Sequence, residues 1–183
     1  LFDPLRYPVG PLPRLDGVLD SAARQSLIDG IAALPARVRG LVDGLSADAL
    51  ETPYRPGGWS IRQVVHHLPD SHLNAYVRQK LAATEDTPPI MAYKEALWAE
   101  LPDAKQGPIE VSLALLSALH VRWVAFMRAL TEPQLRRAFA HPKWGPVTIE
   151  ETLLWYEWHG RHHAAHIEQG IRTFNQGGTA PTR

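Results

Sequence analysis

The segment Trp158-His-Gly-Arg-His-His-Ala-Ala-His166 places histidines at two i, i+4 spacings, His159/His163 and His162/His166. On a helix either pair puts two imidazoles on one face, close enough to grip a single ion. Advancing about 100° per residue from His159, the residues Ile149, Leu153, Tyr156, Gly160, Ile167, Ile171 and Phe174 form a stripe at roughly 60° to 120°, the face expected to be buried. His163 falls at about 40°, against that stripe, whereas His162 and His166 turn towards Glu157, Arg161, Glu168 and Arg172. The pair expected to face the interior is therefore His159/His163. The same projection from Ile61 turns Val64, Leu68 and Ala75 inward with His67 on their shoulder. Ser71, Asn74 and Arg78 continue that shoulder, a polar strip too inward for a solvated face, and it reads as a substrate-binding cavity wall. Asp70 is expected either to support the ligands from behind or to act as a base. His66 points about 100° away from His67, to the surface or behind the ligands. A lone inward histidine is more often a hydrogen-bonded core residue than a ligand, and His72, His120 and His141 read as structural or exposed. Two inward histidines on one helix facing a third are a different case: they predict one divalent metal ion per chain on His67, His159 and His163.

The chain has no cysteine, so any metal must sit on imidazole or carboxylate, and a reactive thiol must arrive with the substrate. Lys plus Arg equals Asp plus Glu at 19 each, which excludes the basic footprint of a nucleic-acid or membrane-surface protein and leaves a small molecule as the expected partner. No apolar run approaches the roughly 18 to 20 residues of a membrane span, and the expected location is the cytoplasm.

The elements that must position these histidines follow from periodicity. Four prolines in Leu1 to Arg14 predict an extended arm lying on the body. A first amphipathic helix is expected from Ser21 to about Leu45, with Pro35 as a kink point. Ser60 and Gln63 form a capping-box signature for a second helix reaching about Glu85, which Pro69 could bend. A short helix within Tyr93 to Leu101 and a third long one from Glu110 to Leu130 follow. His141 to Pro146 reads as a loop, and Thr148 with Glu151 caps a last helix to about Phe174. Four long helices without an alternating strand predict an all-α four-helix bundle, a single domain over 1–183 with an arm at 1–14 and a flexible tail at 175–183.

Tyr7-Pro-Val-Gly10, Thr52-Pro-Tyr-Arg-Pro-Gly-Gly-Trp-Ser-Ile-Arg-Gln-Val-Val-His-His-Leu-Pro-Asp-Ser-His72, Ala118-Leu-His-Val-Arg-Trp123 and Trp158-His-Gly-Arg-His-His-Ala-Ala-His-Ile167 closely resemble the YfiT type of the DinB-like superfamily. The resemblance covers Tyr7 to about Phe174. It implies a four-helix bundle, a cytoplasmic homodimer, and nickel or zinc on three histidines that fall at His67, His159 and His163. Pro69 departs from the alanine expected there. Such proteins are described as metal-dependent hydrolases, and the YfiT type is linked to transfer of the low-molecular-weight thiol bacillithiol onto electrophiles.

Three functions stay open at this point. A thiol S-transferase would ionise its cosubstrate at the metal, with Arg78 or Arg62 receiving the thiol's carboxylates. A hydrolase would activate water at the same position, with Asp70 as base. A non-catalytic binding bundle would use its histidines structurally and carry no stoichiometric metal.

Overall fold

The structure is a computed structural model that describes residues 3–177. Its helices are α1 (Ser21–Val42), α2 (Ala47–Leu50), α3 (Ile61–Thr84), α4 (Glu95–Trp98), α5 (Pro102–Gln106), α6 (Ile109–Ala129), α7 (Glu132–Leu135) and α8 (Ile149–Gly177), with strands β1 (Ala138–His141) and β2 (Gly145–Thr148) before the last. The four long helices pack as a ring in the order α1, α6, α3, α8. Consecutive long helices α1 and α3 therefore lie across the bundle from each other, as do α6 and α8.

Local chemistry sets the boundaries. Asp20 caps α1 by accepting from the Ala23 amide at 2.7 Å. Ser60 and Gln63 form the expected reciprocal capping box on α3, which runs unbroken through Pro69. Thr148 and Glu151 do the same for α8. The last helix continues past Phe174, so residues 175–177 belong to α8 and not to a tail; the rest of the expected tail lies outside the described residues.

Two expectations are corrected. His141 to Pro146 is not a plain loop but the tip of an antiparallel hairpin, with Phe139 opposite Val147 and both buried. Its strands are four residues each, too short for alternation to register, and Gly145 at φ 72° makes the turn. β1 also clips the chain after α3, Ile90 donating to the Ala140 carbonyl at 3.1 Å and Ala140 to that of Pro88 at 2.9 Å. The N-terminal arm, whose first two residues lie outside the described ones, is not extended from Asp3 to Gly10 but folded into tight turns. The Asp3 carboxylate accepts from the Leu5 amide at 2.9 Å, with Pro4 between them, and the chain folds back so that Tyr7 donates to the Asp3 carbonyl at 2.9 Å.

Helix α6 is also more apolar than the sequence reading allowed, being long and apolar enough by composition to cross a membrane. Its inward face, with Leu116, His120 and Trp123, is built into the bundle against α1 and α3.

The apolar core is divided in two. Leu34, Val64, Leu68, Leu116, Ala164 and Ile167 belong to one cluster, and Ile31, Ala75, Trp123, Ile149 and Leu153 to the other. On α3, α6 and α8 the residues between the clusters include histidine: His72 between Leu68 and Ala75, His120 between Leu116 and Trp123, His159 between Leu153 and Ala164.

Candidate metal centre

Helices α3 and α8 are neighbours, and their facing sides bring His67, His159 and His163 together. One ring nitrogen from each lies within 4.8 Å of the others. The Nε2 atoms of His67 and His159 are 3.3 Å apart, and Ser71 Oγ lies 3.4 Å from the latter. The rings of His67 and His163 meet edge to face at 4.7 Å, those of His159 and His163 at 4.4 Å. Gly160 permits this approach of α8 to α1, since a Cβ there would stand 2.9 Å from Leu34 Cδ2.

Burial is the main electrostatic influence on these rings. It pulls His67 down to about 4 and holds His159 and His163 well below the ordinary imidazole value, with the neighbouring histidines adding to the effect. All three are thus neutral bases near pH 7, the form that binds a cation. Three convergent neutral imidazoles fit nickel or zinc equally well.

A second trio, His162, His163 and His166, also gathers within 4.8 Å. Here the angular reading is corrected: His162 and His166 are buried, not turned to the charged side. The turned N-terminal segment and Tyr54 cover that face. His166 donates to the Arg6 carbonyl at 3.2 Å and stacks on Tyr54 at 3.8 Å. Its Nε2 is thereby engaged, and its Nδ1 faces His163 Nδ1 at 3.3 Å, which makes His166 a support of His163 more readily than a co-ligand.

His66 is buried as well, bonded to Ser112 Oγ at 2.7 Å and to the Gly107 carbonyl at 3.1 Å. It ties α3 to the segment leading into α6. His72 and His120 are fully internal, and His72 Nε2 lies 3.0 Å from His159 Nδ1, a contact the sequence reading missed. Its signal was present in the spacing, since the period that puts His67 on the shoulder of α3 returns His72 to the interior.

The trio opens on a cavity of about 670 Å³, within the range of small-molecule sites. Of the expected strip, Ser71 and Arg78 line it, Arg78 also donating to the Met91 carbonyl at 3.0 Å. Asn74 does not; its amide donates back to the Asp70 carbonyl at 2.8 Å. Asp70 is outside the lining too. Burial pushes its pKa up to about 6, with Asp103 adding to the shift. Arg62 is held by Glu51 at 2.6 Å and the Gly107 carbonyl at 2.9 Å, away from the cavity.

Several walls went unanticipated. Trp59 stands 4.8 Å from the His67 ring, and Trp144, Trp155 and Trp158 also line the space, so these tryptophans are cavity walls and not only core mass. The hairpin supplies His141, Lys143 and Trp144. Charge in the lining is one-sided: Arg6, Arg55, Arg78 and Lys143 face a single carboxylate, Glu95. The whole chain has no net charge, so the four cations are concentrated here.

Comparison with known proteins agrees with the architecture. Residues 31–167 match the model of the DinB superfamily. A protein of Oceanobacillus iheyensis described as a candidate metal-dependent hydrolase is 45% identical over 162 residues, covering 88% of this chain and 93% of the relative. YfiT of Bacillus subtilis, described in the same words, is 43% identical over 166 residues, covering 90% of this chain and 93% of the relative. Its solved structure, described as an unusual four-helix-bundle topology, superposes with a TM-score of 0.91, covering 94% of this chain and 99% of that one.

Proposed function

The chain belongs to the DinB superfamily and to its YfiT type, and on that premise we propose that it is a cytoplasmic enzyme holding one nickel or zinc ion on His67, His159 and His163 and joining a small anionic thiol, such as bacillithiol, to electrophiles. A divalent ion at that position would favour the ionised form of a thiol entering the place that three imidazoles leave open.

The observation that carries this reading is the lining charge, four cations against one carboxylate. An anionic cosubstrate would meet Arg78 beside Ser71 and Tyr156, and Arg55, whose buried Nε has no partner among the described residues. The tryptophan walls offer flat surfaces to an apolar or aromatic electrophile. The reaction forms a carbon–sulfur bond, breaks the bond to the leaving group and releases the thiol proton to solvent at the mouth of the cavity. It calls for no carboxylate base, and Asp70 lies outside the cavity.

The relatives favour a second reading, hydrolysis of a small substrate at the same centre. A binding bundle without catalysis is the third. The test mixes metal-loaded protein, bacillithiol and a haloaromatic, and follows conjugate formation against the uncatalysed rate and against His163→Ala. Acceleration lost in that variant is expected. No acceleration with any low-molecular-weight thiol, together with metal-dependent cleavage of an ester or amide panel, would overturn the proposal in favour of hydrolysis. Arg78→Ala is expected to raise KM for the thiol about tenfold with kcat nearly unchanged, the mark of a group that binds away from the reacting sulfur.

A further inference from the structure

Two hydrogen-bonded chains end on His159 and His163, and each begins at a backbone carbonyl, which can only accept. The first visits all four long helices. The Ile31 carbonyl of α1 takes a hydrogen bond from His120 Nδ1 of α6 at 2.8 Å. His120 Nε2 then holds a lone pair and accepts from His72 Nδ1 of α3 at 2.8 Å. His72 Nε2 in turn accepts from His159 Nδ1 of α8 at 3.0 Å. With one proton on each ring of the series, each ring has one donor and one acceptor nitrogen, so the direction fixed at the carbonyl passes down the line of ring contacts. His159 is left with its proton on Nδ1 and a bare Nε2, the atom that faces His67.

The starting carbonyl is available for a covalent reason. In a regular helix the Ile31 oxygen would accept from the amide four residues on, but that residue is Pro35, which has no N–H. The helix-interior proline thus leaves a buried acceptor in the core, and His120 fills it.

The second chain is shorter. The Arg6 carbonyl accepts from His166 Nε2 at 3.2 Å, and His166 Nδ1 then accepts from His163 Nδ1 at 3.3 Å. His163 is also left with a bare Nε2.

We infer that His120, His72 and His166 are positioning residues that lock His159 and His163 in the Nδ1–H form with Nε2 offered to the metal, and that the carbonyls of Ile31, left free by Pro35, and of Arg6 in the turned N-terminal segment set this direction. This rests on the metal reading of the trio. It assigns a purpose to a polar layer that crosses an otherwise apolar core: a ring that must flip or exchange its proton before binding holds an ion less tightly.

The test has two arms. In metal-free protein carrying 15N-labelled histidine, long-range nitrogen–proton spectra should show His72, His120, His159 and His163 as Nδ1–H and His166 as Nε2–H. Finding His159 or His163 as Nε2–H overturns the inference, whatever the protein binds. The second arm measures nickel affinity by competition with a chelator in His120→Leu, His120→Gln, His166→Leu and His166→Gln. A glutamine amide can donate to the carbonyl and accept from the next ring, so it keeps the direction; leucine cannot. The leucine variants should bind nickel about 10- to 100-fold more weakly and the glutamine variants within about threefold of the parent. Equal losses in both, or no loss in either, would overturn it. Metal-free thermal unfolding of each variant separates lost direction from lost fold. If the parent binds no nickel, the metal reading fails and the spectra still judge the tautomers.

Discussion

At the scale of single residues, the site was legible where one helix face carried the signal and illegible where a distant segment intervened. The convergence of His67, His159 and His163 on one place was readable from helical phase. The burial of His162 and His166 does not, because what covers them is the return of residues 6–7 and Tyr54 from elsewhere in the chain. This difference predicts that His162→Ala retains most nickel affinity while His67→Ala loses it, read by equilibrium dialysis. The reverse pattern would move the ion to the other trio. Titration gives a second prediction. All nine histidines sit below the ordinary value, and burial is the largest cause for each. Neutral in the fold, they take up protons on unfolding once the pH drops below about 6.5. Their stabilisation is therefore complete above that pH and lost as it falls towards about 4, where His67, His120 and His166 titrate in the folded protein. Each of these three contributes a slope of up to about 1.4 kcal/mol per pH unit in that window. Asp70, raised to about 6, acts in the opposite sense, its contribution being lost as the pH rises through that value. One carboxylate does not offset several histidines, so the urea midpoint of metal-free protein should fall from pH 7 to pH 5. A flat profile would contradict the burial of these rings.

At the scale of elements, the long helices were readable because a 3.6-residue period persists over many turns, and their starts because capping residues sit at fixed offsets. The hairpin was not: four-residue strands offer two inward positions each, and its role depends on pairing with residues 88–90, which no local pattern announces. Its contribution to the cavity, through Lys143 and Trp144, was missed for the same reason. The approach of α8 to α1 yields a prediction. Gly160→Ala gains helix propensity worth about 1 kcal/mol but drives a methyl group into Leu34. The net effect should be a loss of about 1–2 kcal/mol in chemical denaturation, since overpacking outweighs propensity in a close helix contact. A stabilised variant would show that Leu34 can move aside.

At the scale of the whole molecule, we propose a surface for the homodimer that the family resemblance implies. The tryptophans are largely engaged in the cavity and core. Among the described residues, one contiguous exposed apolar area is the outer face of α6, where Val111, Leu115 and Val121 are exposed in line with Ala114, Ala118 and Ala125, and Leu73 and Val77 of α3 are exposed on the adjoining helix. A face of this length covered by a second copy predicts a dimer mass by light scattering at micromolar concentration, and a monomer for Val121→Glu. A monomeric parent would count against it. The division of the core into two clusters by a histidine layer has a further consequence for the molecule as a whole. Its four helices are joined through rings whose last member faces the cavity, so fold and centre are built from the same polar layer. The three-histidine metal centre is tested by elemental analysis of the chain reconstituted with nickel or zinc and dialysed against metal-free buffer. About one ion per chain is expected in the parent and none in His159→Ala. A parent that retains no metal, or a His159→Ala variant that retains as much as the parent, would contradict it.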